Sequence, residues 1–503
     1  MANVGVADPD RPFGKWRSVF WPVHAYELKK IIPMLAMFFF ISLIYSLLRN
    51  TKDTLIVTAA GGGAELIPFL KLYGVIPGSV VYVLFYVKLS NAVSRYWLFI
   101  LALIPFLLFY SIFIGLYSVR ESIEPVELAS RLQSHLPKGL GHLVAILRHW
   151  VLSLFYVMAE LWGSIALSLL FWGFANDITR VEEAKRFYAL FGIGANLALM
   201  AVKIANGLIH FLQGRLLQLL SLDRWTAYLA VLLGIVVLSI TIIIAIYVWM
   251  NKRVLNDPRF SRPRSADPSA PARGTFLQSL KLLGRERVLR FIAILVIAYG
   301  VAINLIEVTW KSYLGMQYPN PGDYQDYMVN FSFATGLTAV FIMLFVASNV
   351  IRSFGWTVAA LVTPVVLLIT GIGFFGFILG QGLGPWFQVL GMTPLALGVL
   401  FGTIQNVLSK SAKYALFDPT KEMAYIPLGP EARAKGKAAI DVIGARIGKA
   451  GGSLLQQGLI AVYGSLRAIT AQIAILLLAI IGVWIWADLG LGREFARQTR
   501  KRV

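Results

Sequence analysis

Cysteine is absent from the 503 residues, so disulfide frameworks, Cys-ligated zinc, iron–sulfur clusters and thiol nucleophiles are excluded. Charge is scarce too, at 14% of residues against about 25% in an ordinary soluble domain. With 58% hydrophobic residues and a mean hydropathy of +0.71, the few charges cannot coat the soluble domains that a chain of this length would otherwise form. A soluble enzyme, a fibrous protein and a disordered chain are thereby ruled out. Histidine numbers only five, and although His135, His142 and His149 recur every seven residues, Pro137, Gly139 and Gly141 interrupt any helix that would align them. That spacing does not build a metal site, and no cofactor is implied.

Long apolar runs are what the chain has instead. A membrane-crossing helix needs roughly 20 apolar residues, and twelve such runs lie near 31–59, 66–87, 97–117, 150–174, 187–211, 226–250, 289–310, 328–351, 356–380, 386–408, 438–463 and 469–489. The expected fold class is an all-α integral membrane protein, its lipid bilayer a partner by necessity. Glu121–Lys138 is too polar to cross, and Leu128, Leu132 and Leu136 at i, i+4, i+8 read as a short amphipathic helix on the outer surface.

The net charge of +21 is explained by where the cations fall. Lys and Arg crowd the N-terminus, the loops after even-numbered runs and the C-terminal tail, where Arg493, Arg497, Arg500, Lys501 and Arg502 lie. The positive-inside rule then places both termini in the cytoplasm and requires an even number of spans. Most of the charge is topological, so it does not call for nucleic acid. Asp257-Pro258, Arg262-Pro263 and Asp267-Pro268 mark residues 251–288 as a cytoplasmic linker. The expected organisation is an N-terminal segment 1–30, six-helix halves 31–250 and 289–489 about that linker, and a basic tail 490–503. This is the outline of a major-facilitator-type transporter with a midplane site between its halves.

Ionisable residues inside spans cost at least about 2.5–3.5 kcal/mol at the bilayer centre and normally face a cavity or a partner. Here they are Arg49, Lys52, Lys71, Glu160, Lys203, Glu307, Arg446 and Lys449, six of the eight basic. Such an excess suits a polyanion, whose phosphate oxygens replace the water that buried Lys and Arg lose. The two glutamates can hold basic groups while the site is empty. Gly444 to Ala450 looks like a P-loop but has three residues rather than four between its glycines, Ala after the Lys and no preceding strand. With no soluble portion large enough for an ATPase domain, transport has to be gradient-driven and the chain is not expected to be an enzyme.

Several long motifs carry a family resemblance over nearly the whole chain. They include Leu48-Arg49-Asn50-Thr51-Lys52-Asp53-Thr54, Ala64-Glu65-Leu66-Ile67-Pro68-Phe69-Leu70-Lys71, Glu160-Leu161-Trp162-Gly163-Ser164, Asn304-Leu305-Ile306-Glu307-Val308-Thr309-Trp310-Lys311 and Lys413-Tyr414-Ala415-Leu416-Phe417-Asp418-Pro419. In these the sequence resembles the ATP/ADP translocases of obligate intracellular bacteria and plastids. The resemblance implies a twelve-span antiporter that exchanges ATP for ADP without hydrolysing either and serves energy parasitism in bacterial members; the chain is expected to work as a monomer. It further implies that Lys52, Glu160, Glu307 and Lys449 matter for transport, with Arg49, Arg446, Asn304 and Lys311 completing the candidate substrate-binding set. Residues 1–30 carry Asp8, Asp10 and Glu27, unlike an acid-poor transit peptide, which favours the bacterial inner membrane over a plastid. The alternatives are transport of other nucleotides by uniport or proton symport, or of another phosphorylated organic anion. A membrane-embedded enzyme or lipid flippase is the reading from a different class.

Overall fold

The computed structural model describes the chain except residues 1–22, 136–140, 180, 220, 258–259, 261–285, 381–390, 427, 429–435, 437–439, 441–443 and 501–503. Most of the expected linker and the end of the basic tail therefore lie outside the described residues.

The described chain is almost entirely helical, as its long apolar runs require. In order come α1 (Ala25–Val57), α2 (Leu66–Ala92), α3 (Arg95–Ser118), α4 (Val126–His135), α5 (Gly141–Arg148), α6 (Trp150–Ile178), α7 (Val181–Leu219) and α8 (Arg224–Val254). After the linker come α9 (Arg287–Gln317), α10 (Pro321–Ala347), α11 (Ser348–Leu379), α12 (Pro394–Ala412), α13 (Ala445–Tyr463) and α14 (Thr470–Arg500). Among the described residues, ten helices are long and apolar enough to cross a membrane. The expected tenth and eleventh spans, 386–408 and 438–463, overlap α12 and α13, each of 19 residues, which begin seven or eight residues later. At about 1.5 Å per residue they are nearly as long as the hydrocarbon core is thick. Their lower apolarity has a cause: Gln405, Asn406, Ser409 and Ser411 on α12, and Ser453, Gln456 and Gln457 on α13, are buried in the protein. Helix α4 is the expected amphipathic helix, with Leu128 and Leu132 exposed; Leu136 lies outside the described residues.

Contacts divide the chain into two units. The first comprises Met1–Leu48, Tyr82–Gly115 and Ala159–Ala266. Inside it Trp162 is fully buried, meets Phe106 edge-on at 5.3 Å and donates to the Ile41 carbonyl. Two buried ion pairs tie α1 to α7: Lys30 with Glu183 at 2.6 Å, and Glu27 with Arg186, whose two guanidinium nitrogens reach both carboxylate oxygens at 2.6 and 2.8 Å. Bidentate geometry of this kind is the strong form of the interaction.

The second unit comprises Arg49–Val81, Leu116–Met158 and Asp267–Val503. Its centre is α9, which packs against α12, α13 and α14. Close approach of α9 and α13 depends on glycine. A Cβ on Gly448 would lie 2.8 Å from the Ile297 carbonyl oxygen and 3.1 Å from the Gly300 Cα, and one on Gly452 would meet Asn304 at 2.9 Å. Gly444, Gly448 and Gly452 recur every four residues and so share one helix face, the small-residue pattern that lets membrane helices touch backbone to backbone. The segment that looks like a P-loop is therefore a packing face. Helix α2 carries a π-helical stretch, Leu70–Val75, and such stretches are frequent at functional sites.

Candidate functional site

The last turns of α1, together with α9 and α12, present charge to one buried place in the second unit. On α1, Arg49, Lys52 and Asp53 stand at i, i+3 and i+4 and so lie on one face; on α9, Asn304, Glu307 and Lys311 do the same at i, i+3 and i+7. Helix α12 adds Lys410. Lys52 is paired with Asp53 at 2.8 Å, and the second oxygen of Asp53 takes Lys311 at 2.7 Å. Lys311 also reaches Glu307 at 2.8 Å, and Glu307 in turn meets Arg49 at 3.0 Å and Lys410 at 3.4 Å. Two carboxylates thus hold four cations in one continuous network.

Burial makes that network costly to assemble and sensitive to occupancy. Lys52, Asp53, Lys311 and Lys410 are buried, while Arg49 keeps 27% and Glu307 15% of its side-chain surface open. Aromatic faces replace some of the lost hydration: the Lys52 ammonium sits 4.0 Å over the Tyr156 ring and that of Lys410 4.8 Å over Phe331. A fifth cation, Lys71 on the π-helical stretch of α2, donates to Asn304 Oδ1. The Asn304 amide nitrogen donates to Ser453 Oγ at 2.9 Å and to the Lys449 carbonyl at 3.2 Å, tying α13 to the same edge. Around the charges a neutral network fixes α1 against α10. Asn50 donates to the Met328 carbonyl and accepts from Ser332, and Thr54 donates to Gln325 at 2.6 Å. So dense a cluster of basic groups at low dielectric suits an anion.

Five of the eight candidate residues, Arg49, Lys52, Asn304, Glu307 and Lys311, meet here. Lys449 and Arg446 on α13 have exposed side chains with no carboxylate within 4.0 Å among the described residues; only the Lys449 backbone joins the network. Glu160 is half-buried on α6 and belongs to the first unit, as does the exposed Lys203. Two participants escape sequence reasoning. Asp53 is overlooked beside Lys52, although a carboxylate inside an apolar run carries the same cost as a lysine. Lys410 reads as a loop cation because the polar end of α12 hides the helix; the structure places it inside α12 and in the network. Trp162, Phe171 and Trp310 are fully buried, so their rings pack inside the protein.

A family model described as TLC ATP/ADP transporter matches residues 6–495. The chain belongs to that family. Among its relatives, "ADP,ATP carrier protein 1" of Chlamydia pneumoniae is 51% identical over 502 residues, covering 97% of this chain and 96% of its own. The "Plastidic ATP/ADP-transporter" of Solanum tuberosum is 44% identical, covering 99% of this chain and 78% of its own. Among solved structures, that of the nucleoside transporter NupG covers 92% of this chain and 99% of its own with a TM-score of 0.53 at 11% identity, a likeness of fold alone. This TLC-family chain is a multi-pass helical membrane protein with a fold like that of NupG, and a transporter rather than an enzyme.

Proposed function

We propose that this TLC-family protein exchanges ATP for ADP by alternating access, without hydrolysing either, across the bacterial inner membrane with both termini in the cytoplasm. The kinship with carriers named for ADP and ATP supports the substrates, and the distribution of Lys and Arg along the sequence supports the orientation. The observation that carries the mechanism is the buried cluster in which Asp53 and Glu307 hold Arg49, Lys52, Lys311 and Lys410, with Lys71 beside it on Asn304.

Phosphate oxygens compete with the two carboxylates for these cations. With nucleotide present, the cations are neutralised by the passenger, and the carboxylates are released to other partners. Without it, the cations must keep their protein partners through the occluded state, and any pairing that the movement breaks carries the cost of unpaired buried charge. The empty protein therefore returns slowly and the loaded one quickly, which makes exchange obligatory. Lys449 and Arg446 supply further cations that approach the phosphates as the protein changes conformation, and Glu160 is a further charge that transport depends on. A single chain carries the whole pathway.

Proteoliposomes give the test. Labelled ATP should enter vesicles preloaded with ADP and should barely enter empty ones, and the recovered label should still be ATP. Equal uptake with and without internal ADP would overturn obligatory exchange.

A further inference from the structure

We infer that a cavity at the junction of α9 and α14 binds the headgroup phosphate of an anionic phospholipid. The cavity holds about 520 Å³, within the size range of built ligand sites. Its composition is divided. Arg287 and Arg290 on the first turn of α9 and Arg493 near the end of α14 supply positive charge, while Phe291, Ile294 and Trp486 supply apolar surface. The lining contains one carboxylate, Glu494, which touches Arg287 only loosely at 3.6 Å, so positive charge is left over.

Three further features point to a phosphate on a lipid rather than a free ion. The α9 N-terminus opens at the cavity, and its capping residue Glu286 makes no side-chain cap bond, so the positive end of the helix adds to the arginines. Trp486 is 59% exposed and meets Phe291 edge-on at 5.5 Å, forming an aromatic shelf close to the end of the expected span 469–489, the part of a membrane helix where tryptophan is enriched. That shelf depends on Gly490, because a Cβ there would come within 2.6 Å of the Phe291 ring. Leu489, between Trp486 and Arg493, is also exposed, and on the far side of Trp486 so is Val483, continuing an apolar track for an acyl chain. A free phosphate has no use for such a track. Basic pockets between membrane helices beside an apolar face are where anionic headgroups bind. These residues take no part in the network around Glu307, so the assignment stands independently of the transport mechanism.

The full chain in detergent, titrated with dioleoyl phosphatidylglycerol or dioleoyl phosphatidylcholine and read by native mass spectrometry, tests this. Phosphatidylglycerol should bind at least about tenfold more tightly. The Arg290→Gln/Arg493→Gln double variant should lose about thirtyfold in phosphatidylglycerol affinity, the loss of two interfacial charges, while Arg131→Gln should retain it. In parallel, phosphatidylglycerol with brominated acyl chains should quench tryptophan fluorescence more than the brominated choline lipid, and Trp486→Phe should abolish that difference. This second arm decides the matter if the double variant does not fold. Equal binding of the two lipids, an undiminished preference in the double variant, or a quenching difference that survives Trp486→Phe would each overturn the site. Displacement of the lipid by millimolar inorganic phosphate would reassign it to the free ion.

Discussion

Glu307→Gln separates a structural network from a substrate-competing one. Glu307 faces Lys311 at 2.8 Å, Arg49 at 3.0 Å and Lys410 at 3.4 Å. At an effective dielectric near 20, each contact represents about 5 kcal/mol of attraction, much of it offset by the desolvation of the ions. Removing one partner of a buried pair costs about 3–5 kcal/mol net, because the charge left behind is uncompensated. Glutamine is nearly isosteric, so this cost is electrostatic rather than a packing defect. Without nucleotide, the variant should therefore unfold at a lower temperature in detergent than the wild type. With ADP present, much of the loss should be recovered, because phosphate oxygens take the vacated place beside Arg49, Lys311 and Lys410. If about a third of the cost reappears as binding energy, the ADP dissociation constant falls about tenfold. Tighter binding slows release, so counter-exchange should fall even as affinity rises. Calorimetric titration and thermal unfolding on the same samples read both quantities. An ADP affinity that is unchanged or weakened would refute the claim that Glu307 and phosphate compete for the same cations.

Three other perturbations address separate parts of the reasoning. Lys52→Gln leaves Asp53 still held by Lys311 at 2.7 Å, so it should weaken competition against labelled ATP most for ATP, less for ADP and least for adenosine; an equal loss for all three would mean that Lys52 does not read phosphate. Gly448→Leu forces a side chain into a place where a Cβ alone would lie 2.8 Å from the Ile297 carbonyl, and it should reduce folded yield sharply, by more than about 3 kcal/mol of stability, whereas Gly458→Leu, with nothing within 4 Å, should be tolerated. Outside the spans, burial pushes the Glu124 carboxyl up from its ordinary value, with His149 at 3.3 Å opposing that rise. A raised folded value means that the folded state holds the proton more tightly. The associated stabilisation is therefore full below the ordinary glutamate value of about 4.3 and is lost as pH rises through the raised one. Glu124→Gln should accordingly raise the unfolding temperature at pH 8, and that advantage should shrink on acidification; an advantage independent of pH would show that Glu124 does not titrate with folding.

Legibility followed the range of the physics involved. Hydropathy is a property of each segment alone, so the runs near 31–59, 97–117 and 226–250 are found as α1, α3 and α8 with ends a few residues away. It failed where a segment is polar because it is buried in protein. Helix α12 hides Gln405, Asn406 and Ser409 in the interior, and its last turn therefore reads as loop, which is how Lys410 is missed. The P-loop look-alike is read correctly as no phosphate cradle, but its actual role as the α13 packing face depends on where Ile297 and Gly300 stand.

From the sequence alone followed the helical membrane class, the kinship and the fact that charges in apolar helices need an explanation, because burial costs and motif spacing are local. Only the tertiary structure decided which charges answer one another: Asp53 serves both Lys52 and Lys311, Glu307 gathers Arg49 and Lys410, and Lys449 meets Asn304 through its backbone. Helical periodicity tells which face a residue occupies. It says nothing of which distant helix that face will meet, and an ion pair, falling off within a few ångströms, exists only once that meeting is fixed.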